Sequence, residues 1–444
     1  MSTNSQWSSR LGFILASAGS AIGLGAIWKF PFWAGANGGA AFIIPYIVFT
    51  ITIGVTLVMA EVAIGRRGRG SVVAAMRRVG GRWFSLVGAM GVLTSFLILS
   101  YYSVVGGWCA AYLWDALSGN IIINDAALLK AHFGDLVSTP ERNVFWHSVF
   151  LTLTCGTVAL GVEGGIERLA KYLMPTLFVL MIALIVRALT LDGAWAGVVY
   201  LFDFDLDRVT GSAILNAMGF TFFSLSLGAG ILVTYGSYLS DKTDIPNASL
   251  WVALLAIQAA ILAGLMIMPA VFAFGLEPNG GPGLVFITIP IIFSHVHFGY
   301  LFAVLFYICL MVAALTSAVS CLEVVTAYLQ NEWHLSRKKA TLINWVALLL
   351  LGSACALSFG PWGSYTFFGR TLFDFLDYVC SNYLMPLGGL AVALLAGWLA
   401  WPTMREQICA VKVYSPKALS LLRFSIAVLA PVLVAVAIYQ GLFD

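Results

Sequence analysis

Two glycine-rich stretches carry groups that could bind a small solute without any catalytic side chain. One runs Gly19-Ser-Ala-Ile-Gly-Leu-Gly25 and the other Ser224-Leu-Ser-Leu-Gly-Ala-Gly230, each inside an apolar run. If a helix is interrupted there, its free N–H and C=O groups can hold the charged ends of a ligand. Unwound backbone at membrane depth is tolerated only where it lines a cavity or is buried in protein. The two stretches therefore predict a solute site deep inside a membrane protein.

Ionisable residues in apolar segments are the second group of candidates. Glu61 and Glu323 both lie in such segments, where a carboxylate is a functional-site hypothesis by default. A structural hydrogen-bonding role and a protonation role both stay open for them. The sequence contains no HExxH motif, no Gly-x-Ser-x-Gly elbow and no phosphate loop, so we expect no enzyme activity.

The composition decides the class of protein that must position these groups. Hydrophobic residues make up 61% of the 444 residues and charged residues 10%, against about 45–50% and about 25% in soluble proteins. So few charges cannot cover the surface of a soluble fold. This excludes a cytoplasmic enzyme, a nucleic-acid binder and a disordered regulator, and it predicts an all-α polytopic membrane protein.

Eleven segments are apolar for roughly the 20 residues that a spanning helix needs. They lie at 11–36, 40–64, 84–118, 145–160, 168–190, 211–239, 247–275, 298–330, 340–358, 373–401 and 419–440. Of the 23 Lys and Arg residues, 17 fall on the side of the first residue and 6 on the other. The excess predicts a cytoplasmic N-terminus and, with eleven spans, a C-terminus outside.

The glycine-rich stretches fall in the first and sixth segments. One such stretch could be a close-packing device, but two matching interruptions five spans apart are typical of inverted repeats with broken helices. We therefore predict a single transporter domain, 1–444, with repeats at 10–190 and 211–401 and an additional helix at 419–440. The sequence indicates a secondary transporter.

Several motifs resemble the bacterial neurotransmitter:sodium symporters, in the right order and over nearly the whole chain. They are Trp7-Ser-Ser-Arg-Leu-Gly12, Gly23-Leu-Gly25, Phe30-Pro31, Asn37-Gly-Gly-Ala-Ala-Phe42, Glu61-Val-Ala-Ile-Gly-Arg66, Phe222-Phe-Ser-Leu-Ser-Leu-Gly228, Thr234-Tyr-Gly-Ser-Tyr238, Gly281-Pro-Gly-Leu-Val-Phe-Ile-Thr288, Ala314-Leu-Thr-Ser317 and Leu335-Ser-Arg-Lys-Lys339. Eleven segments fit the branch of this family that carries hydrophobic amino acids. The resemblance implies alternating access and a place in the bacterial inner membrane.

The resemblance also implies a substrate site. A carboxylate would meet the N–H groups of Leu24 and Gly25 and the Tyr102 hydroxyl, and an amino group would meet carbonyls around Ala21 and Phe223. The remaining residues of the implied site are Ser20, Ile98, Ser224, Ser226, Ala229, Ser317 and Cys321. Small residues at Ala229 and Cys321 suggest room for a sizeable side chain.

Of the family's two sodium sites, this sequence matches the second and departs from the first. The resemblance implies a complete second site, formed by the carbonyls of Gly19, Ile22 and Ala313 and the hydroxyls of Thr316 and Ser317. Oxygen ligands suit such a hard cation. The first site is incomplete, because Ala26 and Ala256 stand where the family has Asn. We therefore expect one sodium ion per substrate, or a substrate that needs no cation beside it.

The chloride positions are depleted as well. Tyr46 and Ser224 remain, but Phe220 and Ala260 replace polar or acidic partners. The resemblance therefore implies no chloride dependence.

The resemblance also implies an extracellular gate, a cytoplasmic gate and a hinge in the fifth helix. Lys29 and Asp377 match an extracellular ion pair, with Tyr102 and Phe223 closing the site below it. On the cytoplasmic side the family's ion pair is replaced by Asn4 and Asn331, so the resemblance implies closure by an amide hydrogen bond between them and by Trp7 packing. Gly165 and Pro175 match a spacing that lets the cytoplasmic half of the fifth helix unwind.

The leading hypothesis is symport of a hydrophobic amino acid or related amine with sodium. A proton-coupled or sodium-independent transporter of the same fold is the first alternative, and a membrane solute sensor that transports nothing is the second. We expect a small-molecule substrate and the lipid bilayer as partners, with no nucleic acid and no obligate protein partner.

Overall fold

The computed structural model describes residues 6–121, 123–276 and 284–443. Within these ranges the chain is helical, with an isolated bridge between Phe367 and Arg370 and no sheet. In chain order the helices are α1 (Arg10–Ala21), α2 (Gly25–Ala36), α3 (Ala40–Gly68), α4 (Val72–Gly80), α5 (Phe84–Leu117), α6 (Ala126–Ser138), α7 (Pro140–Ala159), α8 (Val162–Leu189), α9 (Ala194–Phe202), α10 (Gly211–Ser224), α11 (Ile231–Ser237), α12 (Ile245–Ala273), α13 (Val285–His295), α14 (Gly299–Glu332), α15 (Arg337–Leu357), α16 (Leu372–Leu399), α17 (Trp401–Ile408) and α18 (Pro416–Val436).

Each of the eleven predicted segments coincides with a helix or a pair of helices. Eight described helices are individually long and apolar enough to cross a membrane, and α1 with α2, bent by 51°, makes nine. The remaining two segments correspond to α7, which is less apolar, and to α10 with α11, which is split. The all-α fold with broken first and sixth segments is confirmed, whereas the division into repeats stays a prediction.

Two segment boundaries were wrong by more than four residues. The fourth helix, α7, begins at Pro140 rather than at 145, and the fifth, α8, begins at Val162 rather than at 168. In both cases the first helical turns carry acidic residues, Glu141 and Glu163. Hydropathy excludes these residues from an apolar segment, although acids are favourable near a helix N-terminus.

Five short helices lie between the segments and were not predicted: α4, α6, α9, α13 and α17. Local capping explains two of them. Ser71 accepts the N–H of Ala74 at the start of α4, and Asp125 accepts those of Ala127 and Leu128 at the start of α6. Such caps stabilise helices that are too short to register as apolar segments.

The long helix α14 lies at the centre of the packing, against α5, α1, α8 and α15. Its buried residues include Ala313, Thr316 and Glu323. The α1 helix packs against α14, α12 and α8. The two helices that carry the predicted second sodium site are therefore direct neighbours in the core.

Candidate functional site: a cavity between two broken helices

Both glycine-rich stretches leave the helical conformation where the sequence predicts a break. The α1 helix ends at Ala21, and α2 starts at Gly25. Between α10 and α11, Ser226, Gly228 and Gly230 take φ angles of 53°, 79° and 76°. Positive φ is cheap for glycine but uncommon for serine. A Cβ at Gly228 would also overlap the Met385 carbonyl, so this break is fixed by packing as well as by conformation.

A cavity of about 390 Å³ lies between the two breaks, α5, α14 and α16. Eleven of the twelve predicted substrate residues line it: Ser20, Ala21, Leu24, Gly25, Ile98, Tyr102, Phe223, Ser226, Ala229, Ser317 and Cys321. Ser224 does not, because its hydroxyl points to the other side of α10. There it donates to the Thr221 carbonyl at 3.3 Å and lies 3.4 Å from the Tyr46 hydroxyl.

Polar groups cluster at the end of the cavity near the first break. The Leu24 N–H donates to the Tyr102 hydroxyl at 3.1 Å, just before the N-terminus of α2. The Ser226 and Ser317 hydroxyls both donate to the Ser20 carbonyl, at 3.3 and 3.2 Å. A helix N-terminus with free N–H groups favours an anion, and carbonyls favour a cation. The site can therefore hold a zwitterion.

The rest of the wall is mostly apolar, apart from Lys29, Asp374 and Asp377, and it includes residues that the sequence did not predict. They are Gly23, Trp28, Phe32, Trp33, Tyr101, Val105, Ile231, Phe373, Asp374 and Met385, in addition to Lys29 and Asp377. A signal was available for two of them. Ile98, Tyr101, Tyr102 and Val105 recur at helical spacing, which places them on one face of α5. Residues from α16 carry no comparable signal, because their approach depends on tertiary packing.

The helices that carry the predicted second sodium site meet closely. A Cβ at Gly19 would lie 3.2 Å from the Thr316 Cβ. The Thr316 hydroxyl is 3.1 Å from the Ala313 carbonyl, and the Ser317 hydroxyl bonds helix α1 at Ser20. The structure thus brings oxygen atoms of α14 against the broken end of α1, next to Ile22. This donor set fits a small hard cation.

The first-site positions Ala26 and Ala256 lie in the main apolar core, and the chloride position Ala260 lies in a second cluster around Phe220. Ala26, Ala256 and Ala260 are 1%, 2% and 0% exposed. The Phe220 ring is 5.2 Å from that of Tyr46 and 5.8 Å from that of Phe30, between ring centroids. Aromatic packing therefore fills the chloride positions, and the methyl groups of Ala26 and Ala256 supply no side-chain oxygen for a cation.

On the outer side, the Lys29 ammonium lies 3.8 Å from an Asp377 carboxylate oxygen and 4.1 Å from the centroid of the Phe223 ring. Both charged side chains keep about a third of their surface exposed, 27% and 35%. Phe223 in turn packs on Gly25, where a Cβ would overlap its ring. The structure brings together Lys29, Asp377, Phe223 and Tyr102 above the cavity.

At the opposite end, Trp7 is 7% exposed. Its indole N–H donates to the Tyr235 carbonyl at 2.9 Å, and its ring packs edge-on against Tyr235 and Tyr238. Asn331 faces Gly70, where a Cβ would lie 2.9 Å from its amide oxygen. Asn4 lies outside the described residues, so its predicted pairing with Asn331 stays a prediction.

The two buried acids have different surroundings. Glu323 forms an ion pair with Arg337 and accepts the Tyr238 hydroxyl at 2.7 Å, which favours its structural role. Arg337 is therefore part of the core rather than an exposed loop charge. Glu61 accepts the Gly228 N–H at 2.7 Å, and its other oxygen is buried with no partner among the described residues.

Gly165 and Pro175 both lie within α8, not in a loop followed by a helix. Gly165 is part of a wide first turn, Val162–Glu167, and a Cβ there would overlap the Thr157 carbonyl. Pro175 lies inside the continuous helix. The N-terminal half of α8, predicted to be cytoplasmic, is wound in this structure, and its unwinding stays a prediction.

The sodium:neurotransmitter symporter family matches residues 4–127 and 141–443. The chain belongs to this family. Its members are secondary transporters and not enzymes, so the membrane-transport prediction is confirmed. The chain is 42% identical to an uncharacterized sodium-dependent transporter of Bacillus subtilis, YhdH, over 88% of this chain and 86% of that one. An uncharacterized sodium-dependent transporter of Haemophilus influenzae is 35% identical, over 93% and 94%.

A solved structure shows the same fold. The crystal structure of MhsT in complex with L-phenylalanine superposes with a TM-score of 0.91. Its sequence identity to this chain is 41%, and the match covers 99% of this chain and 100% of MhsT. The predicted family and fold are both confirmed by this agreement.

Proposed function

We propose that the chain imports a hydrophobic amino acid by alternating access, coupled to one sodium ion at the second site. The cavity is the observation that carries this proposal, because it combines a helix N-terminus, carbonyls and a mostly apolar wall in one space. L-phenylalanine, the ligand named in the MhsT structure, is the first substrate to test. The proposed location is the bacterial inner membrane, with a cytoplasmic N-terminus and an external C-terminus.

The chemistry of the cavity assigns a place to each end of such a substrate. Its carboxylate would lie against the Leu24 and Gly25 N–H groups and take the Tyr102 hydroxyl as a donor. Its ammonium would lie among the carbonyls of Ala21 and Phe223 and the Ser226 hydroxyl. The side chain would then extend toward Ala229 and Cys321, which leave space in the wall.

Purified protein provides the test. L-phenylalanine should raise the melting temperature in sodium chloride and should not do so when choline replaces sodium, because a ligand stabilises only the state that it binds. Sodium-driven uptake and counterflow in proteoliposomes then separate transport from sensing. Phenylalanine binding that is equal in choline and sodium would contradict sodium coupling, and binding without counterflow would favour the sensor.

A second candidate is proton coupling in the same fold. It is favoured by the apolar first site and by the unpartnered oxygen of Glu61. A related amine is the alternative substrate, which phenethylamine in the same melting assay would reveal. Proton coupling predicts uptake driven by a pH gradient in choline, lost in Glu61→Gln.

A further inference from the structure

A buried carboxylate at the cytoplasmic end of α8 collects an unusual number of donors. Glu167 is 1% exposed. It accepts the Ser8 N–H at 2.7 Å, the Ser8 hydroxyl at 2.6 Å and the Ser9 hydroxyl at 2.9 Å. The Lys171 ammonium, one turn along α8, lies 2.7 Å away. Hydrogen bonds to an ionised group are roughly twice as strong as neutral ones, so this contact holds residues 7–9 firmly to α8.

Residues 7–9, here called the strap, are held at a second point by Trp7. The Trp7 side chain is buried on α11, where its N–H meets the Tyr235 carbonyl. The Tyr235 hydroxyl donates to Ser320 at 2.8 Å, and Ser320 donates to the Thr316 carbonyl at 3.0 Å. The strap therefore bridges α8 and α11 and covers the route from the Trp7 end toward the proposed sodium site.

The same carboxylate also organises the start of α1. Ser9 is the N-cap of α1, and its hydroxyl accepts the Gly12 N–H at 3.0 Å while donating to Glu167. A Cβ at Gly12 would overlap the Glu167 carboxylate. Helix α1 and its C-cap Ile22 carry two of the five proposed sodium ligands, so a rearrangement of this contact would reach the ion site through one helix.

An opening toward the cytoplasm must move the strap, because its residue Trp7 is buried against α11. We propose that Glu167 is the positioning residue that latches the strap, and that this latch must release when the cytoplasmic side opens. The charged residue that closes the cytoplasmic side is then Glu167 on α8, whereas α14 carries the neutral Asn331. This inference rests on the proposed function in one respect, namely that the cytoplasmic side opens at all.

Cysteine accessibility tests the latch directly. Ser320→Cys places a thiol beneath Trp7, in a Cys409→Ser background that removes the most exposed native thiol. Adding Glu167→Gln should speed labelling by a membrane-impermeant maleimide about tenfold, since one charged hydrogen-bond acceptor is lost. The exposed Glu163, one turn earlier on α8, supplies the control Glu163→Gln, which should leave the rate unchanged. The background protein without Ser320→Cys gives the native-thiol rate.

A second set of variants separates the latch from a general loss of stability. Ser8→Ala removes one hydroxyl donor to Glu167 without touching α8 or the Ser9 N-cap of α1, and it should also speed labelling. Combined with Glu167→Gln it should add nothing further, because both changes break the same contact. An additive increase, or an unchanged rate in Glu167→Gln, would overturn the latch. The readout needs no substrate, so absence of phenylalanine transport would contradict only the proposed function.

Discussion

The two sides of the break in the first span differ in chemistry although they are a few residues apart. Toward α14, Gly19 and Ser20 meet the hydroxyls of Thr316 and Ser317. On the other side, Ala26 and Ala256 are buried in the main apolar core, and an aromatic cluster around Phe220 fills the chloride positions. One broken helix thus has an oxygen-lined side, where the sodium site is proposed, and a side packed like any protein core.

This difference shows that a broken helix is not by itself an ion site. The break frees backbone groups on both sides, but a cation also needs enough oxygen ligands at the right distance. On the α14 side the neighbouring helix brings Thr316 and Ser317 against α1, which is why the sodium site is proposed there. On the other side the family's amide oxygens are replaced by the methyl groups of Ala26 and Ala256.

The largest effect is expected when an oxygen is removed from the α14 side of the break. Thr316→Ala should raise the sodium concentration for half-maximal phenylalanine binding by about 10–100-fold, a typical effect of altering a metal site. Thr316 does not line the substrate cavity, so binding at saturating sodium should survive. Sodium titrations by scintillation proximity measure this shift.

The control is Thr154→Ala, which removes a buried hydroxyl that bonds only within α7. An unchanged sodium dependence in Thr316→Ala would show that the second site is elsewhere.

The complementary change adds an oxygen to the apolar side. Ala256→Asn should lower the free energy of unfolding by about 1–3 kcal/mol, because a larger amide must enter a packed core without an assured partner. It should not create a second sodium dependence, since Ala26 and Phe220 remain. Melting curves with and without sodium test both points. If sodium raised the melting temperature of Ala256→Asn more than that of the parent protein, the packed-core interpretation would be contradicted.

A smaller effect is expected for the ion pair of Lys29 and Asp377, at the end of the cavity that is predicted to be extracellular. Lys29→Met should speed phenylalanine dissociation by about fivefold or less, because a partly exposed ion pair contributes about 0.2–1 kcal/mol. The Phe223 ring under Lys29 should still cover the site. The comparison is Arg208→Met, which removes an exposed pair with Asp205 away from the cavity and should leave dissociation unchanged. A much larger acceleration would assign the closure to the ion pair rather than to Phe223.

The sequence predicted the broken helices because glycine weakens a helix, and two glycine clusters occupy matching places in the first and sixth apolar segments. Eleven of the predicted substrate residues line the cavity because helix periodicity and the family motifs fix their faces. Ser224 was misplaced, since a residue at the end of α10 can face either the cavity or Tyr46. Glu167 was missed for a different reason. Its partners Ser8 and Ser9 are about 160 residues away, and no local pattern marks such a contact.

The smallest expected effect is that of chloride, and it tests whether the region around Phe220 is an aromatic core or an anion site. Replacing chloride by gluconate should leave sodium-dependent phenylalanine binding unchanged. Tyr46 and Ser224 keep hydroxyls 3.4 Å apart there, but hydroxyls alone do not compensate the loss of an anion's hydration. Weaker phenylalanine binding in gluconate would show that an anion does enter this region. The two sides of the break would then differ in the charge of the ion that they bind, and not in packing.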